Sequence, residues 1–332
     1  MKIICIYHSR DLDGWMSAAI VKKWFIETVS REGEDDLPTD DIDFLGWDYE
    51  DVIPDLTKYD KVIICNISFP RETMIQLLNQ LDNNLIWIDQ HFGAIRDIIG
   101  THEINKEGKD TSTAFNGIRH IKFAACELTW KYFYSNDTIP EIVRLLGRYN
   151  CFGHKDTDEE QKVLEFQYGA RQCISNYEEA YNHLVDEANE YKKGTTTVEA
   201  IHSNGSVIYK YLCTEAKQIY KKAFPIVLQE QTWFESGTFL GKMTNGSYKD
   251  RKFLCVNQER FNPIDFGIDY HKEGYDGFAC FWYKDGKWMW SLYNDNGNID
   301  CSIIAKQYEC GEHKGAAGFV CDNETMLNVI NK

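Results

Sequence analysis

The sequence predicts an α/β protein with a mostly parallel sheet in an N-terminal domain. A smaller mixed α/β domain follows at the C-terminus, joined by a helical connector. Three observations predict this. Short apolar runs, Ile3-Ile4-Cys5-Ile6-Tyr7, Val62-Ile63-Ile64-Cys65 and Leu85-Ile86-Trp87-Ile88, alternate with stretches of helical spacing. That alternation marks buried parallel strands covered by helices on both faces. Past Phe224 the texture changes to short strand candidates, and Asp285-Gly286 between the last two is a strong hairpin signal. At 332 residues the chain has room for two domains, with expected bounds 1–190, 191–224 for the connector, and 225–332.

Taken in order, the first strand ends in His8-Ser9-Arg10-Asp11-Leu12-Asp13-Gly14, and a helix should run from about Trp15 to Val29. Its apolar Met16, Ile20 and Trp24 recur at a spacing of four, a buried stripe. Glu32 to Asp43 reads as a solvated acidic loop, and Ile42 to Trp47 as the second strand. Lys61 to Cys65 is the third strand, Arg71 to Leu81 the next helix, and Leu85 to Asp89 the fourth strand. A helix is expected from Phe115 to about Tyr134, carrying Ile121, Ala124, Ala125, Leu128 and Tyr132 on one side. Another follows Pro140 and stops at Gly147-Arg148-Tyr149-Asn150. Glu178 to Lys193 and Thr197 to Ala223 read as helices, the first charged enough to be a surface connector. Trp233-Phe234, Lys252 to Val256, Gly277 to Tyr283 and Lys287 to Tyr293 are the late strands.

Composition narrows the function. The net charge of −16, from 36 basic and 52 acidic residues, opposes binding to duplex DNA, whose affinity is mostly phosphate neutralisation. A short anionic ligand in one local pocket remains compatible, because net charge does not describe a cleft. No apolar run approaches the ~18–20 residues of a membrane span, and the opening residues do not resemble a secretory signal. The eleven cysteines include no C-x-x-C pair, as expected for reduced thiols in a cytoplasmic protein.

The chemistry gathers at strand ends. In an open α/β sheet, ligands sit beyond the carboxyl ends of the strands. There the first strand delivers His8, Asp11 and Asp13, the third Asn66, and the fourth Asp89-Gln90-His91. A His and two Asp converging on a strand end suit a divalent ion that activates water or grips phosphate. They equally suit a capped helix start, with both carboxylates serving first-turn amides. Near the C-terminus stands Cys310-Gly311-Glu312-His313-Lys314-Gly315-Ala316-Ala317-Gly318-Phe319.

With the H-x-x-D-x-D-G start and the H-K-G-A-A-G-F end, the chain resembles the DHH phosphoesterase superfamily. The resemblance is to members with the DHH-associated C-terminal domain: exopolyphosphatases, oligoribonucleases, cyclic-dinucleotide phosphodiesterases and RecJ-type exonucleases. It implies a cytoplasmic hydrolase of nucleic acid fragments or polyphosphate, with two manganese (or magnesium) ions between the domains and a bridging water that attacks phosphorus. Carried over, His8 and Asp11 would hold one ion and Asp13 would face the other. His91 would contact a substrate phosphate, so Asp13 and His91 are the catalytic candidates. Gly311, His313, Lys314 and Gly315 would cradle the substrate, with Arg171 as a further phosphate clamp. The expected partner is a small anionic phosphate substrate or a short single-stranded oligonucleotide, with no duplex DNA and no membrane. A homodimer is compatible with the resemblance.

Three metal-ligand positions depart from the family pattern. Asn66 stands where the family has a bridging Asp, Gln90 where it has the middle His of its signature, and Asn150 where it has Asp. A carboxamide offers one weak carbonyl oxygen in place of a carboxylate or an imidazole nitrogen. A charge pair at ~4 Å and an effective dielectric near 20 is worth about 4 kcal/mol. Losing even part of that per carboxylate weakens ion binding roughly 10²-fold or more. The chain is therefore expected to bind at most one ion tightly, at His8 and Asp11, and to hydrolyse phosphate esters slowly or not at all. The pattern fits an active parental enzyme silenced by near-isosteric changes, which the retained Asp11, Asp13 and His91 favour. It also fits a non-catalytic nucleotide- or polyphosphate-binding relative. The two domains should face each other across a cleft containing Asp13 and His313. His154 and Asp156 read as loop residues, and Phe278, Phe281, Trp282, Trp288 and Trp290 as the core of a hairpin.

Overall fold

The computed structural model describes residues 1–31, 42–49, 51–189, 197–232, 247–308 and 315–330. Trp233-Phe234, Cys310 to Lys314 and most of the acidic stretch after Arg31 lie outside the described residues. The chain divides into two compact units, Met1–Tyr209 and Lys210–Lys332.

In the first unit, β1 (Ile3–His8) leads into α1 (Leu12–Arg31), followed by β2 (Ile42–Trp47), β3 (Lys61–Cys65), α2 (Arg71–Leu81) and β4 (Leu85–Ile88). All four strands are parallel, in the order β2-β1-β3-β4. The period of two along each strand builds two cores. Ile3, Cys5 and Tyr7 of β1, with Ile63 and Cys65 of β3, face Ala18, Val21 and Phe25 of α1. Ile4, Ile6, Val62 and Ile64 face the other way, onto Met74, Leu77 and Leu81 of α2. The second face also receives Ile95 and Ile98 of α3 (Phe92–Ile99), a helix absent from the sequence reading. Because β2 follows on one side of β1 and β3 lies on the other, the strand order reverses at β1/β3. That is the topological switch point where open α/β sheets bind ligands.

The helix expected from Phe115 to Tyr134 is much shorter: α4 spans only Ala125–Phe133. Upstream of it the chain runs extended beside β4, with Asn116 and Arg119 bridging in parallel to Ile86 and Asp89. Gly117 has φ +110°, and a Cβ there would stand 2.2 Å from the Trp87 carbonyl oxygen. Arg119, 3% exposed, pairs with Asp110 and donates to the carbonyls of Trp87 and Phe115. Those tertiary bonds outweigh a weak helical periodicity.

Helices α5 (Glu141–Asn150), α6 (Glu160–Cys173) and α7 (Tyr177–Asn189) complete the layer over α1. Neither the extent nor the burial of α6 was legible beforehand. The reading of α7 as a surface connector is corrected. Its charged face is solvated, but Ala180 and Leu184 are buried in the helical core with Met16 and Ile20. In α8 (Thr197–Tyr220), Val198 and Ile201 join that same core.

The second unit is a five-stranded sheet ordered β5-β6-β7-β8-β9, made of Phe224–Thr232, Ser247–Asn257, Gly277–Lys284, Lys287–Tyr293 and Ala316–Cys321. Only the β6–β7 pair is parallel. Asp285 (φ +50°) and Gly286 (φ +83°) form the predicted hairpin turn, both central residues left-handed as the tight connection requires. Phe281, Trp290 and Leu292 pack under α9 (Cys301–Lys306) and α10 (Asn323–Ile330), while Phe278 and Cys280 pack on the opposite face with Tyr270. Phe278, Phe281 and Trp290 are core, as read, and Trp282 and Trp288 pack partly buried against it. The segment Ala316 to Phe319 belongs to β9, with Gly318 in register with Ser291, so this part of the C-terminal motif is sheet.

Candidate functional site

The carboxyl ends of β1, β3 and β4 bring together most of the predicted site residues of the first unit. At the end of β1 the chain turns at once into α1, and Gly14 makes the turn possible: a Cβ there would stand 2.1 Å from the His8 carbonyl oxygen. The Gly14 amide donates to Asp11 Oδ1 at 2.8 Å, and His8 Nδ1 lies 2.8 Å from Asp11 Oδ2. Burial works against a charged His8, but the Asp11 hydrogen bond and the charges of Asp11 and Asp48 outweigh it and raise its pKa.

Asn66 follows β3 in the left-handed conformation, φ +61°, a region that Asn tolerates better than most residues. From there its amide nitrogen donates to Asp11 Oδ1 at 2.9 Å, and its Oδ1 accepts from Gln90 Nε2 at 2.7 Å. The same Gln90 nitrogen lies 3.2 Å from Asp13 Oδ2, and Asn150 Nδ2 donates to that oxygen at 2.6 Å. Asp13 is 3% exposed. It also accepts from the backbone amides of Ala125 (3.1 Å) and Cys126 (2.7 Å), the first turn of α4. Burial and the nearby Asp11 push its pKa up to about 6, with the Cys126 and Ala125 bonds pulling back. Its shell is made of donors, four N–H groups and the Cys126 thiol, which suits a carboxylate.

Asp89 is fully buried and orients His91. Its Oδ1 accepts from the amides of Gln90 and His91 and lies 2.8 Å from His91 Nδ1. Burial opposes charge on His91, yet the charge and hydrogen bond of Asp89, with Asp11 and Asp13 beyond, push it up to about 9. His91 also stands at the N-terminus of α3.

The other described candidates have partners of their own. Arg171, in the last turn of α6, donates to the Tyr149 hydroxyl at 3.1 Å and lies over the rings of Tyr149 and Tyr168. His154 is buried, 3.0 Å from the Arg148 carbonyl oxygen and stacked on Tyr149, which makes it a packing residue. Gly315 accepts from the Asn294 amide, and Gly311, His313 and Lys314 lie outside the described residues. Sequence reasoning missed Asp48, whose Oδ1 is 3.7 Å from His8 Nε2 and whose Oδ2 pairs with Arg10. Its position just past β2, at the same end of the sheet, was the available signal. The α4 amides that grip Asp13 carry no side-chain signature.

The chain resembles known structures as a whole fold. The DHH domain of a member of a family of ribosomal proteins matches with a TM-score of 0.52 and 14% identity, over 99% of this chain and 85% of that one. The chain adopts the DHH-domain fold. Looser likenesses, each with a TM-score of 0.47, are to a pGpG-specific phosphodiesterase from Vibrio cholerae and to exonuclease RecJ bound to manganese. Their identities are 13% and 15%, over 99% of this chain and 96% and 88% of theirs. Among curated proteins, an uncharacterized protein of Acanthamoeba polyphaga mimivirus is 21% identical over 95% of this chain. The chain spans 66% of that relative's length. No family model matches the chain.

Within the DHH fold, the residues present fit a two-metal centre poorly. Both oxygens of Asp13 are engaged by N–H donors, and Asp11 is shared among His8, Gly14 and Asn66. Among the described residues no cluster of three or more His, Cys, Asp or Glu side chains is arranged to hold an ion. No helix among them is long and apolar enough to cross a membrane.

Proposed function

We propose that this DHH-fold chain binds a short phosphate ester or anhydride at the ends of β1, β3 and β4, with metal-dependent hydrolysis silenced or strongly attenuated. The observation that carries the reading is the direction of three amides. Asn66, Gln90 and Asn150 turn their N–H groups onto Asp11 and Asp13, the carboxylates that two bridged cations would need. The centre keeps what binds an anion. His8 and His91 both have raised pKa values, and α1 and α3 begin there, presenting the positive ends of their dipoles. Two buried acceptors, Asp89 Oδ2 and Gln90 Oε1, have no protein partner and suit a ligand hydroxyl or a protonated phosphate oxygen. The acidic balance of the chain favours a short oligonucleotide, a dinucleotide or polyphosphate over duplex DNA. At most one manganese or magnesium ion would bind tightly, at His8 and Asp11. A lone ion there could polarise a phosphoryl oxygen.

The test compares the natural chain with the triple variant Asn66→Asp/Gln90→His/Asn150→Asp. Both are assayed with manganese on oligoribonucleotides, cyclic dinucleotides, adenosine bisphosphate and polyphosphate, and binding is measured by calorimetry. The natural chain should bind one class without turnover, and the variant should hydrolyse it. Turnover by the natural chain equal to the variant's would overturn the attenuation. Binding of no phosphate ligand by either protein would overturn the site.

A further inference from the structure

The poor fit to a two-metal centre has a positive counterpart. Asp11 and Asp13 are two carboxylates on one helix turn, and Asp13 is 3% exposed. With Asp13 buried and the Asp11 side chain 38% exposed, it is above all Asp13 that needs compensating positive charge, or enough N–H donors to replace it. The structure supplies the donors in one directed chain. Asn66 gives its N–H to Asp11 and takes one from Gln90, and Gln90 and Asn150 both donate to Asp13. Each amide is oriented by the group it serves, and the α4 amides of Ala125 and Cys126 complete the shell.

We infer that Asn66, Gln90 and Asn150 act as a built-in substitute for cations, so that Asp11 and Asp13 are held in place without metal. The carboxamides are thus positioning residues for the two aspartates. An Asp at position 150 would set a carboxylate where an amide now lies 2.6 Å from Asp13 Oδ2. An Asp at position 66 would do the same 2.9 Å from Asp11 Oδ1. Each such centre would then depend on a bound ion to fold stably. Phosphate binding and turnover decide the functional reading, whereas folding in the presence and absence of metal decides this one.

The experiment is thermal melting of the full chain, in chelator and in millimolar manganese chloride. It compares the natural protein, Asn150→Asp, Asn150→Ala and the triple variant Asn66→Asp/Gln90→His/Asn150→Asp. In chelator, the triple variant should melt about 5–10 °C below the natural protein, a drop of a few kcal/mol for a unit of this size. Manganese should restore most of that loss in the triple variant and raise Asn150→Asp, while leaving Asn150→Ala unrescued. That contrast separates a charge substitute from a merely structural amide. A triple variant that folds only when refolded with manganese is the limiting form of the same result. Melting of the triple variant in chelator at or above the natural protein would overturn the inference. So would an equal manganese-induced rise in the natural and triple proteins. If the triple variant folds under neither condition, Asn150→Asp against Asn150→Ala decides: equal responses to manganese reject the inference.

Discussion

Replacing Gly14 by alanine tests how tightly the site is tied to the fold. Gly14 lies in the first turn of α1, where alanine by itself would gain up to about 1 kcal/mol of helix propensity. Sterics oppose this. The new Cβ would stand 2.1 Å from the carbonyl oxygen of His8 and 2.9 Å from its carbonyl carbon. Ordinary contact needs about 3.5 Å, so something must move by about 1 Å or more. The obstacle is backbone, and β1 is hydrogen-bonded to β2 on one side and β3 on the other. The helix must therefore shift, and the Gly14 amide leaves Asp11. Overpacking of this kind costs about 1–3 kcal/mol and occasionally more, which outweighs the propensity gain. The expected outcome is a melting temperature about 3–10 °C lower, with weaker binding of the phosphate ligand. Thermal and urea melts give the first and calorimetry the second. An alanine variant that melts at or above the natural protein would refute the close-approach account.

Two further outcomes follow from ion pairs that do not include Asp11, Asp13 or His91. Asp110→Ala should lower stability by about 3–5 kcal/mol in urea unfolding, because Arg119 is left buried at 3% exposure without its carboxylate. A loss below about 1 kcal/mol would show that the carbonyls around Arg119 suffice alone. Hydrogen bonding to Arg144, and then to Lys162, holds Glu141 down to about 2 from 4.5. A depressed carboxylate contributes stability that is present above its unfolded pKa and lost as pH falls through the folded one. Glu141→Gln should therefore flatten the acid limb between about pH 4.5 and 2. With Glu141 a third exposed, the effect should stay under about 1 kcal/mol. An unchanged acid limb would show that the pair contributes nothing measurable.

The sequence by itself determined the strand–helix alternation of the first unit and which polar residues gather at the carboxyl end of its sheet. Those features are local. The apolar run Ile3 to Tyr7, the fourfold spacing of Met16 and Ile20 in α1 and the hairpin turn at Asp285-Gly286 follow from neighbouring residues alone. The carboxamides Asn66, Gln90 and Asn150 were equally readable, since they lie in residue identity. Tertiary structure decided the rest. Residues 115–124 abandoned a helical pattern because Arg119 found carbonyls and Asp110 beside β4. The charged α7 became core through Ala180 and Leu184, whose partners come from α1. What the three carboxamides do also depended on distant partners: Asn150 meets Asp13 across 137 residues of chain. Local sequence sets which donors and acceptors exist. Only the folded chain fixes which of them meet, because each must exchange water for a partner brought near by packing elsewhere.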